Sequence, residues 1–157
     1  MNETILKVED VHTYIERHHI LQGVSFDAKA DAVTVLIGRN GAGKSTALKT
    51  VMGLLPAAEG KIIYRGKEIQ KNKPYQIARM GIGFVPEHMG IFAELTVEEN
   101  MRVAMLVEND ATARRLERVL GMFAALRKFW KSKAGNLSGG QKQMLAIGRA
   151  IVNDTSL

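Results

Sequence analysis

Nine consecutive residues, Gly38-Arg39-Asn40-Gly41-Ala42-Gly43-Lys44-Ser45-Thr46, carry the residue types needed to hold a chain of phosphates. A polyphosphate presents several negative charges at once, so its site needs many donors that cost little to desolvate. Glycines let successive backbone N–H groups turn toward one anion with no side chain in the way. The pattern is that of a phosphate-binding loop (P-loop), in which Lys44 reaches the β- and γ-phosphates and the Ser45 hydroxyl ligates Mg²⁺. Thr46 is placed to donate to the α-phosphate. The loop implies a nucleotide and Mg²⁺ but leaves the reaction open, since kinases, GTPases, helicases and transport ATPases all use it. The rival reading, a glycine-rich turn that happens to precede Lys-Ser, is weighed against the elements on either side.

A second glycine-bearing helix start lies far downstream at Leu137-Ser138-Gly139-Gly140-Gln141. Ser138 and Gln141 have capping-box spacing, and the two glycines leave backbone N–H groups open to an anion. Alone, such a segment is a commonplace helix N-cap.

The elements around these loops follow from periodicity. Residues 6–12 alternate apolar and polar, residues 20–28 do so loosely, and both read as half-buried strands. Residues 32–37 form a continuous apolar run ending in Gly38, which suits a strand buried on both faces of a parallel sheet. Ala47, Leu48, Val51, Met52 and Leu55 have helical spacing over residues 44–55, and Pro56 ends that helix. Strand, glycine loop, helix is the context a P-loop requires. Residues 60–64 predict another strand, 75–80 a short helix, and 82–86 a second core strand stopped by Pro86. Thr96 and Glu99 have capping-box spacing and open a helix to about residue 107. One further helix is predicted over 111–129, with Leu116, Val119, Leu120, Phe123 and Leu126 on its apolar side, and a last one from Ser138 to about residue 152. Strands dominate before Pro86 and helices after it. The expectation is a mixed α/β fold with a helical insert, its last helix returning to the core.

Composition narrows the classes. The chain of 157 residues is one domain's worth, with 46% apolar and 24% charged residues, ordinary values for a globular protein. No cysteine is present, which excludes a disulfide framework and a cysteine-based zinc site. Met1-Asn2-Glu3-Thr4 is not basic and leads into no apolar signal core, and no apolar run approaches a membrane span, so membrane association is expected only through a partner. The formal net charge is +6, with the densest basic stretch at Arg127-Lys128-Phe129-Trp130-Lys131-Ser132-Lys133. That stretch reads as a solvated helix end and loop, with a docking surface as the alternative. His12, His18 and His19 have no metal-ligand context.

The second loop resembles the signature motif of ATP-binding cassette (ABC) ATPases. Residues 82–87, Ile91-Phe92, residues 95–100 and 143–150 are similar to the ATPase subunits of branched-chain amino-acid importers, so the resemblance covers essentially the whole chain. It implies a P-loop NTPase core of the ABC type with an N-terminal antiparallel β region. Within it, residues 1–87 would form the β region and P-loop core, 88–134 a helical signalling insert, and 135–157 the signature loop and returning helix. ATP and Mg²⁺ would be the cofactors. ABC ATPases pair head to tail, so Ser138, Gly139, Gly140 and Gln141 would contact ATP held by the P-loop of a second subunit. Glu87, where most of the superfamily has a glutamine, would sit by the Mg²⁺ and relay closure to integral membrane permeases. An aromatic ring upstream of the P-loop would stack on adenine. Tyr14 is available for this or only covers a strand end, and Glu16 replaces the usual glycine.

The resemblance also implies an acidic Walker B strand after Asn153-Asp154-Thr155-Ser156, and a later switch histidine. Neither is among the 157 residues, so no catalytic residue and slow or absent hydrolysis are expected of this chain, with the C-terminal part of the core sheet missing. Asp154 belongs to the turn. The implied function is an ATP-binding subunit on the cytoplasmic face of the inner membrane, coupling ATP to import of branched-chain amino acids or a related solute. The rival expectations are a nucleotide-binding module without hydrolysis and a soluble ABC ATPase acting on nucleic acid.

Overall fold

The computed structural model describes residues 3–157, so Met1-Asn2 of the N-terminal stretch lie outside the described residues. The chain divides into two compact units, one running through Ile82 and taking in Leu157, the other Gly83–Ser156.

The first unit is built on an antiparallel sheet of order β2-β1-β3-β4. Its strands are β1 (Thr4–Ile15), β2 (His18–Lys29), β3 (Glu59–Tyr64) and β4 (Lys67–Glu68). Leu6 and Val8 of β1 pair with Tyr64 and Ile62 of β3, and all four side chains are buried. The alternation read over residues 6–12 is interrupted between Val8 and Val11, where Asp10 takes φ 48° and β1 accommodates an extra residue. Gly60 answers that bulge, since a Cβ there would lie 2.3 Å from the Asp10 carbonyl oxygen.

Helix α1 (Lys44–Val51) follows the glycine loop. It ends earlier than the spacing to Leu55 predicts. Gly53, at φ 67°, turns the chain left-handed, and Gly53 and Leu54 donate to the carbonyls of Thr50 and Lys49 at 3.0 and 2.9 Å. Helix α2 (Pro74–Arg79) completes this unit.

Two predicted strands are not formed. Residues 32–37 make no ladder, and Val33, Val35 and Ile37 are 91%, 68% and 92% exposed rather than buried. Residues 82–86 also make none, although Ile82 is buried. A strand is a property of a hydrogen-bonded pair, and neither run finds a partner strand among the described residues. Apolar composition alone supplies the tendency without the ladder.

The second unit is helical. It contains α3 (Val97–Ala104), α4 (Asp110–Met122), α5 (Ala124–Lys128), a 3₁₀ turn (Ala134–Asn136) and α6 (Gly139–Ile151). Val97, Met101, Val119, Leu120, Leu126, Leu137, Leu145 and Val152 form its core. The single helix predicted over 111–129 is instead two, broken at Phe123 with φ −121° and ψ 70°. Gly121 weakens the helix just before the break, by about 1 kcal/mol relative to alanine. The break is invisible to periodicity because Val119 and Leu126, seven residues apart, remain on one stripe. Among the described residues no helix is long and apolar enough to cross a membrane.

The basic stretch is largely neutralised within the unit. Lys131 pairs with Glu98, Lys133 with Glu94 at 3.0 Å and Arg127 with Glu117 at 2.7 Å. Lys128 lies over the Phe129 ring. This arrangement favours the solvated-surface reading of residues 127–133.

Candidate nucleotide-binding site

The glycine loop owes its shape to two left-handed residues, Gly41 at φ 86° and Gly43 at φ 87°. Gly43 is the N-cap of α1, and a Cβ at that position would stand 3.0 Å from Leu21 Cδ2 on β2. The residue must therefore be glycine for both conformation and space. Ala42 N–H donates to the Arg39 carbonyl at 3.1 Å, closing the turn, and Ala47 N–H donates to the Gly43 carbonyl at 2.8 Å, opening the helix.

The other N–H groups of this segment are left over. Those of Asn40, Gly41, Gly43, Lys44, Ser45 and Thr46 have no hydrogen-bond partner among the described residues. Three of them belong to the first turn of α1, where a helix has donors it cannot use itself. Helix α1 has no acidic residue in its first turn, so its positive dipole end is not neutralised locally.

Lys44 folds its ammonium back onto the loop. Its Nζ donates to the carbonyls of Gly38 at 2.8 Å and Arg39 at 2.9 Å, and to no carboxylate. An ammonium held only by neutral acceptors keeps its full attraction for an anion. The donor set fits a polyphosphate: a row of unpaired N–H groups, an unneutralised ammonium and the exposed hydroxyl of Ser45.

Tyr14 lies in the same unit, near the tip of the β1–β2 hairpin, with its ring stacked on His19 at 4.2 Å and 12°. The hairpin touches α1 through the hydroxyls of Thr13 and Thr50, 3.1 Å apart and buried. Thr50 also donates to the Thr46 carbonyl at 2.9 Å, so one buried contact anchors the loop's helix to the sheet.

The remaining candidate residues belong to the second unit. Glu87 is exposed on a turn closed by Met89 N–H donating to the Pro86 carbonyl at 2.8 Å. Among the described residues no group of three or more histidines or carboxylates is arranged to hold a metal ion. Ser45 and Glu87 remain the metal candidates, one in each unit.

Ser138 is the N-cap of α6 in a complete capping box. Gln141 N–H donates to Ser138 Oγ at 3.3 Å, and Ser138 N–H donates to Gln141 Oε1 at 2.9 Å. Gly139 and Gly140 are exposed, and a Cβ on either would meet no neighbouring atom of the described residues within 4 Å.

Sequence reasoning passed over Asn100, which is fully buried. Its Nδ2 donates to the carbonyls of Phe92 and Thr96, each at 2.9 Å, while its Oδ1 accepts from Phe92 N–H at 2.9 Å. It thereby ties the segment before α3 to that helix. An asparagine on the apolar side of a capped helix was the available signal. Arg149 was also passed over. Its guanidinium donates to the Gly90 carbonyl and lies 4.9 Å from the Phe92 ring centre, and burial lowers its pKa.

Comparison with known proteins places these features in context. Residues 21–157 match the family described as ABC transporter. A probable branched-chain amino acid transport ATP-binding protein LivF of Archaeoglobus fulgidus is 40% identical over 88% of this chain and 59% of its own length. A high-affinity branched-chain amino acid transport ATP-binding protein, BraG of Pseudomonas aeruginosa, is 39% identical over 98% of this chain and 66% of its own. A solved ATP-binding subunit of an ABC transporter matches with a TM-score of 0.82 at 31% identity, covering 95% of this chain and 62% of that one. The chain thus spans between 59% and 66% of the length of these two curated relatives.

Proposed function

The chain belongs to the ABC transporter family, and on that premise we propose that it is an energy-coupling ATP-binding subunit of an importer. The observation that carries the reading is the row of unpaired N–H groups from Asn40 to Thr46, gathered around an ammonium that no carboxylate neutralises. Gly41, Gly43 and the first turn of α1 wrap the β-phosphate, with Gly38, Arg39, Asn40 and Ala42 completing the loop. Lys44 leaves its two carbonyls to bridge the β- and γ-phosphates, and Thr46 donates to the α-phosphate. Mg²⁺, when held there, would supply neutralising charge to the phosphates. Ser45 would be a ligand of the metal, and Glu87 is proposed as a second, direct or through water.

The signature loop serves a second molecule. Ser138, Gly139, Gly140 and Gln141 present a capped helix start with bare glycines to the γ-phosphate held by another subunit's P-loop. Nucleotide then joins two copies head to tail, and their closure acts on integral membrane permeases through the helical insert, residues 88–134. The protein works peripherally, on the cytoplasmic face of the inner membrane. Branched-chain amino acids are the proposed cargo class, supported by the two relatives, both branched-chain amino acid transport ATP-binding proteins. Hydrolysis is the activity the family carries. These residues are assigned the holding and orienting of the triphosphate and its metal.

The test is equilibrium binding of ATP with Mg²⁺ to this chain and to Lys44→Ala. Loss of a charge-assisted contact to phosphate predicts at least roughly tenfold weaker binding. Equal affinities would remove Lys44 from the site and the proposal with it. Phosphate release measured on the same samples distinguishes an ATPase from a module that holds ATP intact.

A further inference from the structure

Two buried hydroxyls join the first hairpin to the helix that follows the P-loop. Thr13 of β1 and Thr50 of α1 are both buried, and their Oγ1 atoms lie 3.1 Å apart. Thr50 Oγ1 also stands 2.9 Å from the Thr46 carbonyl oxygen. A carbonyl only accepts, so the single hydroxyl proton of Thr50 belongs to that bond. The proton between the two hydroxyls is therefore that of Thr13, and the pair has a direction. Thr13 donates to Thr50, and Thr50 donates to Thr46. A threonine bonding back to its own helix is commonplace. A second buried hydroxyl that feeds it, from 37 positions away in the sequence, is not.

The direction matters because of where the series of bonds ends. The Thr46 carbonyl shares its peptide group with the Ala47 N–H, which donates to the Gly43 carbonyl at 2.8 Å. The Gly43 carbonyl shares its peptide group with the Lys44 N–H, which has no partner among the described residues. Every donor along this path points the same way, from the Thr13 hydroxyl through Thr50 and the helix to the open Lys44 N–H. Each bond in such a series polarises the next, so the last donor is stronger than it would be alone. The path also pins the first turn of α1 to the sheet, which fixes where that donor points.

We propose that Thr13 and Thr50 are positioning residues for the triphosphate, acting in sequence through the peptide groups of α1 to orient and polarise the Lys44 N–H. The inference deepens the nucleotide reading of residues 38–46 and rests on it. Neither threonine touches the ligand. Thr50 acts on the helix directly, and Thr13 acts only through Thr50.

The experiment titrates this chain with ATP and Mg²⁺ as native, Lys44→Ala, Thr13→Val, Thr50→Val, Thr50→Ser and the double variant Thr13→Val/Thr50→Val. Urea denaturation and amide NMR of the nucleotide complex are recorded on the same samples. Valine keeps the branched shape and removes the hydroxyl, whereas serine keeps the hydroxyl. Thr50→Val is expected to weaken ATP binding about fivefold and Thr13→Val about twofold, with Thr50→Ser close to native. The double variant should bind as Thr50→Val does, since Thr13 has no other route to the site. Stability should follow a different pattern. Thr50→Val leaves the Thr13 hydroxyl buried without its acceptor, and the double variant removes that hydroxyl. The double variant should therefore regain much of the urea stability lost in Thr50→Val while its affinity stays low. The Lys44 amide proton should move upfield in Thr50→Val, further than those of Ser45 and Thr46, and return in Thr50→Ser. Lost stability with unchanged affinity and an unmoved Lys44 amide would overturn the inference. So would affinity losses that add in the double variant, or binding by Thr50→Ser as weak as by Thr50→Val. Any of these alongside loss of binding in Lys44→Ala leaves the nucleotide assignment standing. Failure of the native chain to bind ATP overturns both.

Discussion

Gly43 meets two demands at once: a left-handed backbone at the cap of α1 and contact with Leu21. Alanine there is strained by its φ of 87° and its Cβ presses on that leucine. Gly43→Ala is expected to cost about 1–2 kcal/mol in urea denaturation, and to weaken ATP binding because the loop's N–H groups no longer converge. Glu99 shows how a single carboxylate makes stability depend on pH. Its Oε2 accepts from the Thr96 N–H at 2.7 Å and from the Thr96 hydroxyl at 2.9 Å, and these bonds lower its pKa from the ordinary 4.5. A lowered folded-state pKa means that the ionised form is favoured by folding. The contribution is complete above about pH 4.5 and is lost as pH falls through the lowered value. Denaturation between pH 6 and pH 3 should show this slope in the native chain and a shallower one in Glu99→Gln. An unchanged slope would show that the box does not influence folding.

Elements explain what was legible before the fold was known. The capping boxes at Thr96 and Ser138 span three positions each and the P-loop eight, so their residue types disclose them. The strands predicted over 32–37 and 82–86 depend on a neighbour's backbone, which no local pattern contains. The break at Phe123 stayed hidden because the apolar repeat runs through it, and Asn100 stayed hidden because its partners are carbonyls rather than side chains. Tyr14 was legible as an aromatic near the P-loop, but its face of the hairpin emerges only from the register with His19. Asn100→Ala would strand the buried groups it now satisfies, and about 2–3 kcal/mol of stability should disappear in chemical denaturation. Gly148 sits where α6 meets its neighbours, and a Cβ there would lie 2.9 Å from Val119 Cγ1. Gly148→Ala gains helix propensity yet overpacks the core, and a net loss of about 1–2 kcal/mol is expected. A stabilised variant would show that α4 yields without strain.

At the scale of the whole molecule, the proposed head-to-tail pairing makes association depend on nucleotide. With ATP and Mg²⁺ the chain should sediment as a dimer, and without them as a monomer. Gly140→Asp sets a negative charge where a partner's γ-phosphate would arrive, so it should stay monomeric under both conditions. Dimerisation of that variant would count against contact by the second loop. The empty space before Gly139 and Gly140 lends such measurements unusual clarity. Since no neighbour among the described residues crowds either one, alanine at Gly139 should leave the melting temperature within experimental scatter. The pair is therefore a natural separation-of-function probe: a defect seen there belongs to an incoming molecule rather than to folding.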